Sequence, residues 1–88
     1  MKIIKIGAVW CPACLLMHKV WSKLKEEFPD LEIINYDIDM DEGIETKYNV
    51  GKTLPVIIFL TEKDAELDRL VGEKSYDEIK AKLLEVYK

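Results

Sequence analysis

Only two cysteines occur among the 88 residues, which excludes a small scaffold stapled by several disulfides. Long apolar runs are missing as well. The densest, Val56 to Leu60, is far too short to cross a bilayer, so no membrane is expected as a partner. Basic blocks are absent: 13 Lys and Arg stand against 17 Asp and Glu, spread along the chain to a net charge of −4, and nothing in that pattern attracts nucleic acid. The chain also lacks repeats, linkers and low-complexity segments. The first ten residues carry isoleucines, but Lys5 interrupts them and no small-residue cleavage site follows, so they read as a strand and not as a signal peptide. One domain over 1–88 is expected, burying roughly 60–65% of the surface its unfolded form exposes.

What is present centres on Trp10-Cys11-Pro12-Ala13-Cys14, which holds both cysteines at a point where an apolar strand gives way to a helix. Two thiols at this spacing can close a small disulfide ring or bind a soft metal. Pro12 is tolerated at the first helical position, so Cys11 falls at or beside the helix N-terminus, where free N–H groups stabilise anionic sulfur. Thiol–disulfide exchange is the chemistry this implies, and the cysteine usage suits a reducing cytoplasm.

Ile3, Ile4 and Ile6 make Lys2 to Gly7 a strand. From Pro12 to Phe28 an amphipathic helix is expected, with Met17, Trp21, Leu24 and Phe28 on its apolar face, Leu16 and Val20 widening it, and Pro29 ending it. On that wheel Cys14 lies at the edge of the apolar face and Cys11 on the polar side, which predicts an exposed first sulfur and a sheltered second one. Leu31 to Asp39 is dense enough in apolar β-formers for a strand covered on both faces. Strand, helix and strand make a βαβ unit with parallel pairing and a right-handed crossover. Asp41 is placed to cap a short helix through about Asn49, with Ile44 and Tyr48 inward and Gly51 at the exit. Val56 to Leu60 is expected to be a central strand, and Ala65 to Val71 its antiparallel hairpin partner. Ser75-Tyr76-Asp77-Glu78 is a capping box for a last helix whose apolar face carries Tyr76, Ile79, Leu83, Val86 and Tyr87.

With the order β-α-β-α-β-β-α in place, the sequence resembles a thioredoxin-fold oxidoreductase, close to the minimal fold that glutaredoxins share. Three features carry the resemblance: Trp10-Cys11-Pro12-Ala13-Cys14 at a strand-to-helix turn, Thr53-Leu54-Pro55 before an apolar strand, and Val71-Gly72 ahead of the last helix. It implies an α/β, three-layer fold with a mixed sheet of four strands and helices on both faces. It also implies that Cys11 is the nucleophile, Cys14 the resolving thiol and Pro55 a cis-proline facing the disulfide. Trp10, Pro12, Thr53, Leu54 and Pro55 then border the substrate. The activity implied is reduction of protein disulfides by a cytoplasmic monomer without bound cofactor, with electrons from a reductase or from glutathione.

The chain departs from the family where thioredoxins carry a buried acid, six residues before the first cysteine. Lys5 stands there, and Asn35 aligns with the lysine usually paired with it. Asp37 and Asp39 are then the nearest candidates in sequence to take the Cys14 proton. A glutaredoxin-like, glutathione-dependent reductase is the alternative, although Val71-Gly72-Glu73-Lys74 replaces the pattern that anchors glutathione carboxylates in that family. From another class, a metal carrier or binding module is conceivable through Cys11, Cys14 and His18. A helical rise of about 1.5 Å per residue puts His18 roughly 10 Å along the axis from Cys11, which argues against both a shared metal and a direct base.

Overall fold

The β-branched run at the start forms β1 (Lys2–Gly7), and alternation along it assigns its side chains to two different layers. In the computed structural model, which describes residues 1–87 and leaves Lys88 of the expected domain outside them, β1 lies inside a four-stranded sheet of order β2-β1-β3-β4. β2 (Glu32–Asp37) runs parallel to it, pairing Ile3 with Ile33 and Lys5 with Asn35. β3 (Val56–Leu60) is antiparallel to β1 and to β4 (Glu66–Val71), so the sheet is mixed as expected.

Ile3, Ile57 and Phe59 face Trp21 and Leu24 of α2 (His18–Glu27) and Ile79 and Leu83 of α4 (Tyr76–Val86). On the opposite face Ile4, Ile6, Val56, Ile58 and Leu60 meet Ile44 of α3 (Ile44–Lys47), with Tyr48 and Leu54 packed alongside. Helices thus cover both faces of the sheet. Every residue of β3 is buried, because the strand contributes to both cores at once.

Several local expectations need correction. The helix expected over Pro12 to Phe28 is broken: α1 (Pro12–Leu16) ends at Met17, whose φ of −83° and ψ of 0° leave the helical basin before α2 begins. The break lets Met17 turn fully into the core while Leu16, expected on the apolar face, is 68% exposed. β2 is not covered on both faces. As the edge strand it has no neighbour beyond it, and its residues are half-buried or exposed. The short helix spans only α3, capped by Gly43 at φ +85° and not by Asp41, whose Oδ2 instead accepts the Asp37 N–H at 2.7 Å. Asn49, at φ +52°, makes the left-handed exit assigned to Gly51; asparagine tolerates that region better than most residues.

At the C-terminal side the reading holds. Ser75 Oγ accepts the Glu78 N–H at 3.2 Å and Glu78 Oε2 accepts the Ser75 N–H at 3.3 Å, closing the capping box. The Tyr87 hydroxyl then sits between the carbonyls of Lys2 and Leu60, at 2.7 and 2.6 Å, fastening the end of α4 to the start of β1 and the end of β3.

Candidate active site

At the end of β1 the chain has only Ala8, Val9 and Trp10 in which to turn from sheet to helix. The Cys11 N–H donates to the Ala8 carbonyl at 3.1 Å, closing that turn. Cys11 is the N-cap of α1, with extended backbone (φ −90°, ψ 109°), and Pro12 occupies the first turn. Its Sγ accepts the Cys14 N–H at 3.2 Å, so a thiol sulfur does here what a serine or aspartate oxygen does at other helix starts.

The expected exposures are reversed. Cys11 is only 4% exposed, whereas Cys14 is intermediate. The helical wheel fails at Cys11 because an N-cap residue does not follow the 100° progression of the turns after it. The Cys14 sulfur, in turn, lies against the backbone of β1: a Cβ built on Gly7 would come 2.8 Å from it. Burial, then contact with the Cys11 sulfur, pushes the Cys14 thiol up to about 11. Both cysteines are free thiols.

Cys14 opens onto a cleft of about 350 Å³ that it shares with Lys5, Tyr36, Asp37, Asp41 and Pro55. Pro55 is buried and the Leu54–Pro55 bond is cis. Gly72, at φ +91°, donates its N–H to the Pro55 carbonyl at 2.8 Å, so the Thr53-Leu54-Pro55 and Val71-Gly72 features meet in space. Among the described residues neither Thr53 nor Leu54 uses its backbone in a hydrogen bond. Trp10 is 62% exposed, and its indole N–H donates to Asp39 Oδ2 at 2.5 Å. Val9 and Leu15, both more than two-thirds exposed, line the cleft as well.

Of the acids named as proton acceptors, Asp39 is engaged by Trp10, and Asp37 Oδ1 accepts the N–H groups of Asp39 and Met40 at 2.8 and 3.1 Å. Lys5, by contrast, reaches into the cleft: its Nζ lies 5.0 Å from the centre of the Trp21 ring, and burial lowers its pKa, partly offset by the charge of Cys14. His18 is exposed at the start of α2, and among the described residues no three His, Cys, Asp or Glu side chains cluster to hold a metal. Gly7 is the functional residue that sequence reasoning missed. Its only signal was an unbranched residue ending a β-branched run.

Gly7→Ala is expected to leave the fold intact and displace the Cys14 sulfur, since a methyl at 2.8 Å must push it aside. Misplacing a reacting atom by that order costs up to about a hundredfold. The closing rate of a mixed disulfide on Cys11 measures it, and an unchanged rate would show that the sulfur has room to move.

A four-stranded mixed sheet flanked by helices, with paired cysteines at its β1–α1 turn opposite a proline before β3, defines the thioredoxin fold. The thioredoxin family model matches residues 1–85, and the chain belongs to that family. It is 28% identical to an H-type thioredoxin of Brassica campestris over 82 residues, covering 93% of this chain and 64% of that protein. To a thioredoxin of Chlamydia trachomatis it is 31% identical over 77 residues, 88% of this chain and 74% of the other. Among solved structures, thioredoxin-2 of a malaria parasite, described as a component of the protein secretion machinery, superposes with a TM-score of 0.86 at 26% identity, covering 96% of this chain and 81% of that one. A thioredoxin of Nicotiana alata, at 24% identity, TM-score 0.88 and coverage of 99% and 73%, shares the fold. This chain thus spans slightly less than two thirds of the length of the Brassica relative.

Proposed function

We propose that this chain reduces disulfides in proteins by dithiol exchange, with Cys11 as nucleophile and Cys14 as resolving thiol. The observation that carries the reading is the division between the two sulfurs: Cys11 accepts a helix N–H, while Cys14 is held protonated by its surroundings. Attack by Cys11 on a substrate disulfide forms a mixed disulfide and releases one substrate thiol; attack by Cys14 on Cys11 then releases the second. The unbonded backbone of Thr53 and Leu54 beside Pro55 suits an extended substrate segment paired as a strand would be. Trp10 and Pro12, both exposed, border that segment, and Val9 and Leu15 offer apolar surface to a protein partner.

No helix of the described residues is long and apolar enough to cross a membrane. The proposed setting is the cytoplasm, with the domain over 1–88 acting as a monomer and recharged by a thioredoxin-reductase-type flavoenzyme or by glutathione. Insulin reduction tests the function, run in parallel with a thioredoxin-reductase system and with glutathione and its reductase. Turnover is expected with one of the two. Insulin reduction no faster than in the same two mixtures without the protein would overturn the reading, and stoichiometric zinc in the reduced protein would favour a metal carrier.

A further inference from the structure

Cys14 cannot attack Cys11 as a thiol; it must first lose a proton that its surroundings hold tightly. Something in the cleft has to take that proton. Ile3, Lys5 and Gly7 share one face of β1, with Ile3 beneath Trp21 and Gly7 beneath the Cys14 sulfur. Lys5 lies between them on that face, in a strand whose other interior positions are apolar.

Other charged or titratable groups surround this cleft. From β2 and the loop after it come Tyr36, Asp37 and Asp41; from α2, Lys25 and Glu26 line the adjoining groove that Lys5 also borders; from α1 comes Cys14, with Cys11 against its sulfur. Asp37 and Asp41 each commit a carboxylate oxygen to backbone N–H groups of their own loop. The neighbour of Lys5 across the parallel pair is Asn35, which carries no charge.

We propose that Lys5 is the proton acceptor for Cys14 during resolution, its amine taking the thiol proton across the shared cleft, directly or through one water. The proposal rests on the dithiol reading above. In the mixed disulfide, Lys5 in its amine form, the form that burial favours, takes the proton of Cys14 Sγ–H on Nζ. The Cys14 sulfur attacks Cys11 Sγ, the Cys11–Cys14 bond forms, and the bond from Cys11 to the substrate sulfur breaks, that sulfur leaving with the electron pair as a thiolate. The dithiol is oxidised by two electrons and the substrate disulfide reduced. Lys5, now an ammonium, returns its proton to the leaving thiolate or to solvent. Burial disfavours the charged amine, while the new thiolate favours it, so the two groups are matched for a transfer within the pair.

The test uses the reduced protein and the chromogenic disulfide dithiobis(nitrobenzoate), which releases one coloured thiol when Cys11 attacks and a second when Cys14 resolves. Lys5→Met should leave the first phase unchanged and slow the second by at least about tenfold at neutral pH. Its second phase should keep rising with pH toward the titration of Cys14, whereas the native protein levels off earlier. Lys5→Arg keeps a positive charge that does not deprotonate, and should be as slow as Lys5→Met. A fast second phase in Lys5→Arg would show that charge alone suffices and overturn the proposal. So would an unchanged second phase in Lys5→Met, or equal slowing of both phases, which marks a merely structural role; Lys5→Gln repeats the measurement should the methionine variant fold poorly. Absence of the first phase in the native protein would instead defeat the dithiol reading itself.

Discussion

Mixed with a protein disulfide, the Cys14→Ser variant is expected to accumulate a covalent adduct on Cys11, while Cys11→Ser accumulates none and loses exchange altogether. The asymmetry follows from the cap. Cys11 Sγ accepts the Cys14 N–H, and a serine at 14 keeps that N–H in place, so the attacking sulfur is unaffected. Burial, joined by the Cys11 sulfur, pushes the native Cys14 thiol up to about 11, and since burial still acts once Cys11 is replaced, Cys14 left alone stays less ionised at neutral pH than an ordinary cysteine. Attack by Cys14 on an external disulfide is therefore slower, by about tenfold or more. Intact-mass spectrometry followed by peptide mapping locates the adduct. Its appearance on Cys14 in the Cys11→Ser protein, at a rate similar to that of the reciprocal variant, would reverse the two roles. The low exposure of Cys11 adds a qualification to its reactivity: a sulfur only 4% exposed is reached best by a substrate that docks along Thr53, Leu54 and Pro55, so a bulky alkylating reagent should lag behind a small one.

The largest loss of stability is expected from Phe59→Ala. Phe59 is completely buried on the face of β3 that meets α2 and α4, and its ring lies 6.5 Å from that of Tyr87. Truncating a buried phenylalanine costs about 3–5 kcal/mol, the lost transfer energy together with the cavity left behind. A domain of this size has only about 4–13 kcal/mol in total, so the variant forfeits about a quarter of its margin or more. Urea unfolding should show a midpoint lowered by more than about 1 M with the slope unchanged. A loss below about 1 kcal/mol would mean that the helices collapse into the vacated space.

The architecture was legible where pattern and chemistry pointed the same way. Ile3, Ile4 and Ile6 placed β1, the unbroken run from Val56 placed β3, and Ser75 with Glu78 placed the start of α4. The larger departures escaped because each depends on something other than local pattern. The break at Met17 comes from a single backbone dihedral between two stretches of good helix formers. The half-exposure of β2 comes from its position at the sheet edge, which composition does not reveal. Cys11 was misplaced on the wheel because whether a residue counts as helix or cap decides where its sulfur points. The two cysteines, Pro55 and Trp10 were all singled out in advance, and they do gather at one end of the sheet. Gly7 and the setting of Lys5 were hidden, since their meaning lies in which face of β1 they share.

That shared face makes a single strand answer for two things at once. Side chains alternate strictly along β1, so the isoleucine that anchors α2, the lysine in the cleft and the glycine under the resolving sulfur hold their places only as a set. Sliding the strand by one residue would put Ile4 and Ile6 on the face now held by Lys5 and Gly7 and swing Lys5 and Gly7 into the apolar layer around Ile44. A deletion or insertion within Lys2–Gly7 is therefore not a graded injury. It would exchange the chemistry of the cleft for hydrocarbon in the same motion that put a cation into the core, so selection for a folded chain also preserves the lining of the cleft.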